Sequence, residues 1–217
     1  MKTLLLITLL AFPVMHVLAQ EKSYTIVFLN KKTESEKLDE KTTKKLMDGH
    51  MANIRRLAEE GKLLAAGPFD GGGGLFIFNT TSAEEAESWV NTDPAVQANR
   101  WDVEILPYTP RIGSVCPVSE PIEMVSYTFV RFDAVVDKFT AGTYPNIIRQ
   151  HEAFMKEIAD PAQIVTEAIF GPNEGGILIV KGELNGDAFT NDPGVQQGLL
   201  DVEIKKLYIA KSSFCEK

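Results

Sequence analysis

A thirteen-residue phrase occurs twice in this chain, and a chain that repeats itself folds as repeated units or as equivalent halves of one unit. The phrase is Asp93-Pro94-Ala95-Val96-Gln97, four residues, then Asp102-Val103-Glu104-Ile105. It returns as Asp192-Pro193-Gly194-Val195-Gln196, four residues, then Asp201-Val202-Glu203-Ile204, with eight of thirteen positions identical and no gap. Upstream, Tyr24-Thr25-Ile26-Val27-Phe28 answers Tyr127-Thr128-Phe129-Val130-Arg131, Gly67-Pro68 answers Gly171-Pro172, and His50 answers His151. These are the only histidines beyond the first nineteen residues. The chain reads as a tandem duplication: a leader at 1–19, one domain at 20–108, a linker at 109–124, and a second domain with a tail at 125–217.

The leader carries Lys2, an apolar run from Leu4 to Leu10, the helix breaker Pro13 and the small-residue end Val17-Leu18-Ala19. That pattern predicts a signal peptide and a secreted or periplasmic mature protein. No apolar run is long enough to cross a hydrocarbon core of about 30 Å, so no membrane partner is expected. The 22 basic against 30 acidic side chains argue against nucleic acid or an anionic bilayer as partner. In an oxidising compartment, Cys116 in the linker and Cys215 in the tail read as a disulfide, with two free structural thiols as the alternative. Neither is expected to be catalytic, because each lies in a Pro- or Ser-rich connector.

Periodicity predicts the same element order in both halves: strand, helix, strand, strand, helix, strand. In the first, Ser23 to Asn30 is apolar on both faces and so should be covered on both. A charged segment from Thr33 to about Leu46 is expected to lead into a helix through His50 to Glu60, stopped by Gly61. Lys62 to Gly67 and Leu75 to Phe78 read as a hairpin across the Gly71 to Gly74 run, Ser82-Ala83-Glu84-Glu85 opens a helix to about Val90, and Val103 to Tyr108 closes the unit. The second half repeats this with Val125 to Phe132, a helix from about Tyr144 to Ile158, Gln163 to Phe170, Ile177 to Lys181, a short helical stretch near Asp187, and Val202 to Ile209, so that Tyr108 and Tyr208 read as the closing tyrosines of the two halves. Thr109 to Met124, with Pro110, Gly113, Pro117 and Pro121, is expected to be a linker without strand. The predicted class is α+β: two tandem ferredoxin-like (βαββαβ) domains whose remaining apolar faces pack sheet to sheet as an intrachain pseudo-dimer. A monomer of this kind, or a higher homo-oligomer, is the expected state.

The stretch His-Met-Ala-Asn-Ile-Arg-Arg-Leu-Ala-Glu-Glu-Gly-Lys-Leu-Leu-Ala-Ala-Gly-Pro-Phe from His50, followed by Ala-Glu-Glu-Ala-Glu-Ser-Trp-Val-Asn-Thr-Asp-Pro-Ala-Val and a closing Val-Glu-Ile, resembles a YciI-like (YCII-related) domain of the dimeric α+β barrel superfamily. The resemblance covers nearly all of the first half. In the second, His151 and Asp192-Pro193 match, with a three-residue insertion between His151 and Gly171-Pro172 and a shortened second helix. The resemblance implies a His and Asp pair acting as an acid–base centre, His50 with Asp93 and His151 with Asp192. Its superfamily includes lactone isomerases, dehydrochlorinases, monooxygenases and haem enzymes.

Helical spacing places His50 with Leu46, Met47, Ile54 and Leu57, and His151 with Ile147, Ile148, Phe154, Met155 and Ile158, so both rings are expected to face inward. A core histidine satisfied by hydrogen bonds fits that position as well as a catalyst does. Asp followed by Pro is also an ordinary way to open a helical turn, which gives each carboxylate a structural role beside its catalytic one. Arg131 occupies the slot of Phe28 and could hold a substrate carboxylate or pair with an acid such as Glu203. Tyr24, Tyr127, Asn30 and Asp133 are further polar candidates for ligand binding. The Gly71 to Gly74 run lacks the following Lys-Ser/Thr and helix of a phosphate loop, no zinc ligand set stands at metal spacing, and no nucleophile motif appears. The expected function is therefore an exported small-molecule enzyme, of lactone isomerase or lyase type, with His/Asp acid–base chemistry and no cofactor. The alternatives are a non-catalytic small-ligand-binding module and, from the superfamily alone, a haem protein bound through His50 or His151.

Overall fold

The computed structural model describes residues 22–34, 37–118, 120–140, 142, 144–158, 163–171, 175–184 and 186–215. The leader at 1–19 and Pro172 lie outside the described residues. The first half contains β1 (Tyr24–Lys31), α1 (Glu40–Glu59), β2 (Leu63–Pro68), β3 (Gly74–Phe78), α2 (Ala83–Val90), α3 (Pro94–Gln97) and β4 (Trp101–Ile112). The second contains β5 (Met124–Ala134), α4 (Tyr144–Ile158), β6 (Ile164–Ile169), β7 (Gly175–Val180), α5 (Pro193–Gln196) and β8 (Leu200–Ala210), with a 3-10 turn at Gly186–Phe189 in place of α2.

The class is α+β with antiparallel ladders throughout, in the order β2-β3-β1-β4-β6-β7-β5-β8. Each half has the same internal order, and β4 joins β6 edge to edge. At the far edges Phe69 bridges Leu207, and the Asp70 amide donates to the Lys206 carbonyl at 2.9 Å, so β2 meets β8. Gly67 permits this approach, since a Cβ there would stand 2.4 Å from the Tyr208 carbonyl oxygen.

Alternation along β1 explains why the strand is apolar on both faces. Ile26 and Phe28 join Phe69, Tyr108, Phe129, Phe170 and Phe214 in a core shared by the two halves. Val27 and Leu29 face the other way, against Leu57, Ala86 and Val90 of the first-half helices. Val130 and Phe132 do the same in the second half, with Met155 and Phe189. Phe189 occupies the place of Val90, a larger side chain filling the space where a full helix is missing.

Four expectations are corrected. α1 begins at Glu40 instead of beyond Leu46, because Asp39 caps it: its carboxylate accepts from the Thr42 amide at 2.8 Å, and Glu40 adds favourable charge to the first turn. The strand expected to end at Tyr108 continues to Ile112, so the supposed linker supplies the join between the halves: Thr109, Pro110 and Ile112 pair with Ile169, Ala168 and Glu167. Pro110 is tolerated because β1 stops pairing at Tyr108, leaving that side of β4 without a ladder to interrupt, and a bulge follows it.

The match of Gly67-Pro68 with Gly171-Pro172 is also replaced. Both second strands carry a bulge, between Leu63 and Ala65 and between Ile164 and Thr166, and the amides of Phe69 and Phe170 donate to the carbonyls of Gly73 and Gly175. Phe69 therefore corresponds to Phe170, nineteen residues beyond His50 and His151 respectively, and the three-residue insertion disappears. Finally, Val27 pairs with Ile105 and Val130 with Ile204, which makes Leu207, not Tyr208, the counterpart of Tyr108. Tyr108 is buried while Tyr208 is 42% exposed, because a one-residue offset in a strand changes the face.

Cys116 and Cys215 form a disulfide across 99 residues, with Cα atoms 5.2 Å apart. It holds the segment after β4 against the tail, where Val115 and Phe214 enter the shared core.

Candidate active site

The His/Asp pairs are built the same way twice. α1 and α4 carry His50 and His151 on the face turned to the outer side of the sheet, where the His50 ring stacks on Phe76 and the His151 ring meets Phe132 edge-on. Not all of that face is inward: Met47 is 49% exposed and Met51, beside His50, 41%. Asp93 and Asp192 cap α3 and α5 from an extended backbone, each followed by a proline that has no amide to leave unpaired.

Each carboxylate divides its two oxygens between two roles. Asp93 Oδ1 accepts from the Ala95 amide at 2.8 Å, and Oδ2 meets His50 Nδ1 at 2.6 Å. Asp192 Oδ1 accepts from Gly194 and Val195, at 2.7 and 3.3 Å, and Oδ2 meets His151 Nδ1 at 2.5 Å. Both acids are fully buried, while the imidazoles keep 14% and 13% of their side-chain surface. The structural and chemical roles weighed for these acids are thus compatible. Close backbone contacts help: a Cβ on Gly49 would stand 3.0 Å from Pro94 Cγ, and one on Gly194 would stand 2.6 Å from Leu200 Cδ1.

A carboxylate on Nδ1 makes that nitrogen the protonated one in the neutral ring, leaving Nε2 with the lone pair. Burial opposes the charge on Asp93, but the hydrogen bond and charge of His50 and the amides of Ala95 and Val96 outweigh it and hold the carboxyl below its ordinary range.

The surroundings of the two pairs differ. His151 lines a cleft of about 140 Å³ with Phe132, Ile148, Met155, Ile177 and Leu200 among its apolar walls. Three charged side chains share it: Arg111 Nη1 donates to Glu152 Oε1 at 2.6 Å, and Arg111 Nη2 donates to Glu167. A second cleft of about 240 Å³ adjoins along Arg111, Glu152 and Glu167. None of these three was singled out from sequence. One signal was present: Glu167 interrupts the apolar strand Ile164-Val165-Thr166-Glu167-Ala168-Ile169, and an acid there needs a cation nearby.

The other candidate residues lie elsewhere. Arg131 donates through Nη1 and Nη2 to Glu104 of the first half, both at 2.7 Å, and through Nε to Asp133 at 2.7 Å. Its guanidinium lies 4.5 Å from the Phe28 ring centroid, at the junction of the halves. The acid it pairs with is Glu104 and not Glu203, which bonds Lys205 instead. That bidentate contact already occupies the fork proposed for a substrate carboxylate. Asn30 reaches the same Glu104, at 3.4 Å. Tyr24 and Tyr127 are buried in the shared core, and neither lines the His151 cleft.

Among the described residues no group of three or more His, Cys, Asp or Glu side chains is placed to hold a metal ion. The cleft at His151, about 140 Å³, is smaller than the roughly 300 Å³ at which pockets for drug-sized ligands begin, so it suits a small molecule and is too small for a haem. Among the described residues no helix is long and apolar enough to cross a membrane.

Comparison with known proteins agrees with the architecture. No functionally curated protein matches the chain. A crystal structure named "Putative Chlorite dismutase" is similar at 10% identity, with a TM-score of 0.50 over 87% of this chain and 95% of that one. A "Putative monooxygenase" from Fusobacterium nucleatum subsp. nucleatum ATCC 25586 is similar at 11% identity, with a TM-score of 0.43 over 87% of this chain and 92% of that one. At 10% identity the first of these likenesses speaks to fold alone. The profile of the YCII-related domain matches residues 24–109, most of the first half of the chain, and the α+β fold of the whole is similar to that of the first of these structures.

Proposed function

We propose that the protein is an exported small-molecule enzyme that moves a proton next to a carbonyl group, as an isomerase or lyase does. The observation that carries this reading is the hydrogen bond from each histidine Nδ1 to a buried capping carboxylate, with the His151 ring lining a cleft. Asp192 holds the ring in the tautomer whose Nε2 is basic. Nε2 takes a proton from the carbon beside the carbonyl, and the ionised Asp192 stabilises the imidazolium that results. The ring then returns the proton to a different carbon, or a leaving group departs and the proton is lost to water. His50 and Asp93 can do the same at the first-half site. The shared core and the matched strand orders support reading the chain as a duplicated unit paired with itself, and the disulfide supports an oxidising compartment.

One observation favours a second reading, ligand binding without turnover: a capping carboxylate would be needed at Asp93 and Asp192 even without chemistry. A panel of unsaturated lactones, ketones and hydroxy acids separates the two. Turnover that falls by about 10²- to 10⁴-fold in His151→Gln with the melting temperature retained supports the enzyme. Saturable binding with no turnover of any compound by the native protein overturns it.

A further inference from the structure

We propose that Arg111, contributed by the first half, completes the second-half site and makes it select uncharged carbonyl compounds over carboxylates. The inference rests on His151 being the ligand-facing residue and adds the chemical class of what it meets.

Arg111 leaves the extended end of β4 and crosses to the second half, where it joins Glu152, beside His151 on α4, to Glu167 on β6. All three side chains and His151 line one cleft. Two of the five guanidinium N–H groups are engaged in these bonds, which leaves donors for a neutral carbonyl oxygen. The positive charge, however, is already shared between two carboxylates. With Asp192 behind the ring, the site carries one cation against three anions while His151 is neutral. A carboxylate ligand would meet net repulsion and would have to displace Glu152 or Glu167 from Arg111. An uncharged carbonyl compound would do neither, and the apolar walls suit its body.

The first half shows that this arrangement is not a by-product of the fold. By helix and strand register, Glu152 answers to Met51, Glu167 to Ala66 and Arg111 to Ala210. No charged triad exists at those positions, although the His/Asp pair beside them is the same. The selectivity therefore belongs to the second-half site alone.

The test uses propionamide and propionate, nearly equal in shape and different in charge, titrated into the full-length oxidised protein while the His151 ring resonances are followed by NMR. His50→Gln assigns the signals. Propionamide is expected to move the His151 ring saturably, with propionate about tenfold weaker or silent. In Glu152→Gln and Glu167→Gln, both near-isosteric and partly exposed, propionate should gain about tenfold while propionamide changes little. Arg111→Met should weaken propionamide, and Arg111→Lys should restore part of it. Equal binding of the two probes by the native protein overturns the inference, as does unchanged selectivity in both glutamine variants. Failure of both probes to move the ring overturns it as well, and leaves the acid–base reading to be judged by the turnover of His151→Gln.

Discussion

The two halves hold the same dyad in different walls. The Nδ1 to Oδ2 distances are 2.6 and 2.5 Å, both acids are fully buried, and both spend their other oxygen on the first amides of a short helix. The His50 ring stacks on Phe76, on a helix whose Met47 and Met51 are exposed; His151 lines a cleft with the charged triad of Arg111, Glu152 and Glu167. The difference teaches that the pair is a local unit, fixed by a cap and a helix face. What it can act on is decided by side chains from other elements, one of them from the opposite half.

The strongest way to break the comparison is to remove each base in turn. His151→Gln is expected to reduce turnover by about 10²- to 10⁴-fold and His50→Gln by far less, measured as kcat/KM on the best substrate of the lactone panel. Equal losses would show that the walls do not distinguish the sites. Reduction of the disulfide tests how far the halves depend on being tied. For a loop of about a hundred residues, the chain-entropy argument puts the loss at about 5 kcal/mol, read from urea denaturation of oxidised protein against Cys116→Ser/Cys215→Ser.

The junction tests the pairing from inside. Arg131→Met strips Glu104 of its bidentate partner in a partly open site and should cost about 2 kcal/mol of unfolding free energy, between the values for exposed and buried pairs. Adding Glu104→Gln should recover part of that loss if unpaired charge is the cause. The smallest effect concerns acid. Because the folded Asp93 holds its proton less tightly than the unfolded chain does, its contribution is complete above the ordinary carboxylate pKa of about 4 and is lost as pH falls through the lower folded value. Asp93→Asn should therefore flatten the acid side of the stability profile relative to the native protein.

Much of this was legible in the sequence because it is local. The repeated Asp-Pro announces a helix cap wherever it occurs, and β1 declares two covered faces through Ile26, Val27, Phe28 and Leu29. The places where reading failed are those where two local rules compete or where partners are distant. Pro110 argued for a linker, yet it sits in a strand because β1 has ended beside it. Gly171 looked like the match of Gly67, yet register sets Phe170 against Phe69. Tyr208 looked like Tyr108, yet it lies one step off and faces outward.

The sequence by itself determined most of the element types and the matching order of the two halves. These follow from short-range stereochemistry: caps, turn residues and the periods of strand and helix. The tertiary structure alone decided that Arg131 meets Glu104 instead of Glu203, and that Arg111 joins Glu152 and Glu167 beside His151. Both are contacts across the halves. Their partners are set by how β4 lies against β6 and how the inner faces close on each other, geometry that no stretch of chain encodes alone.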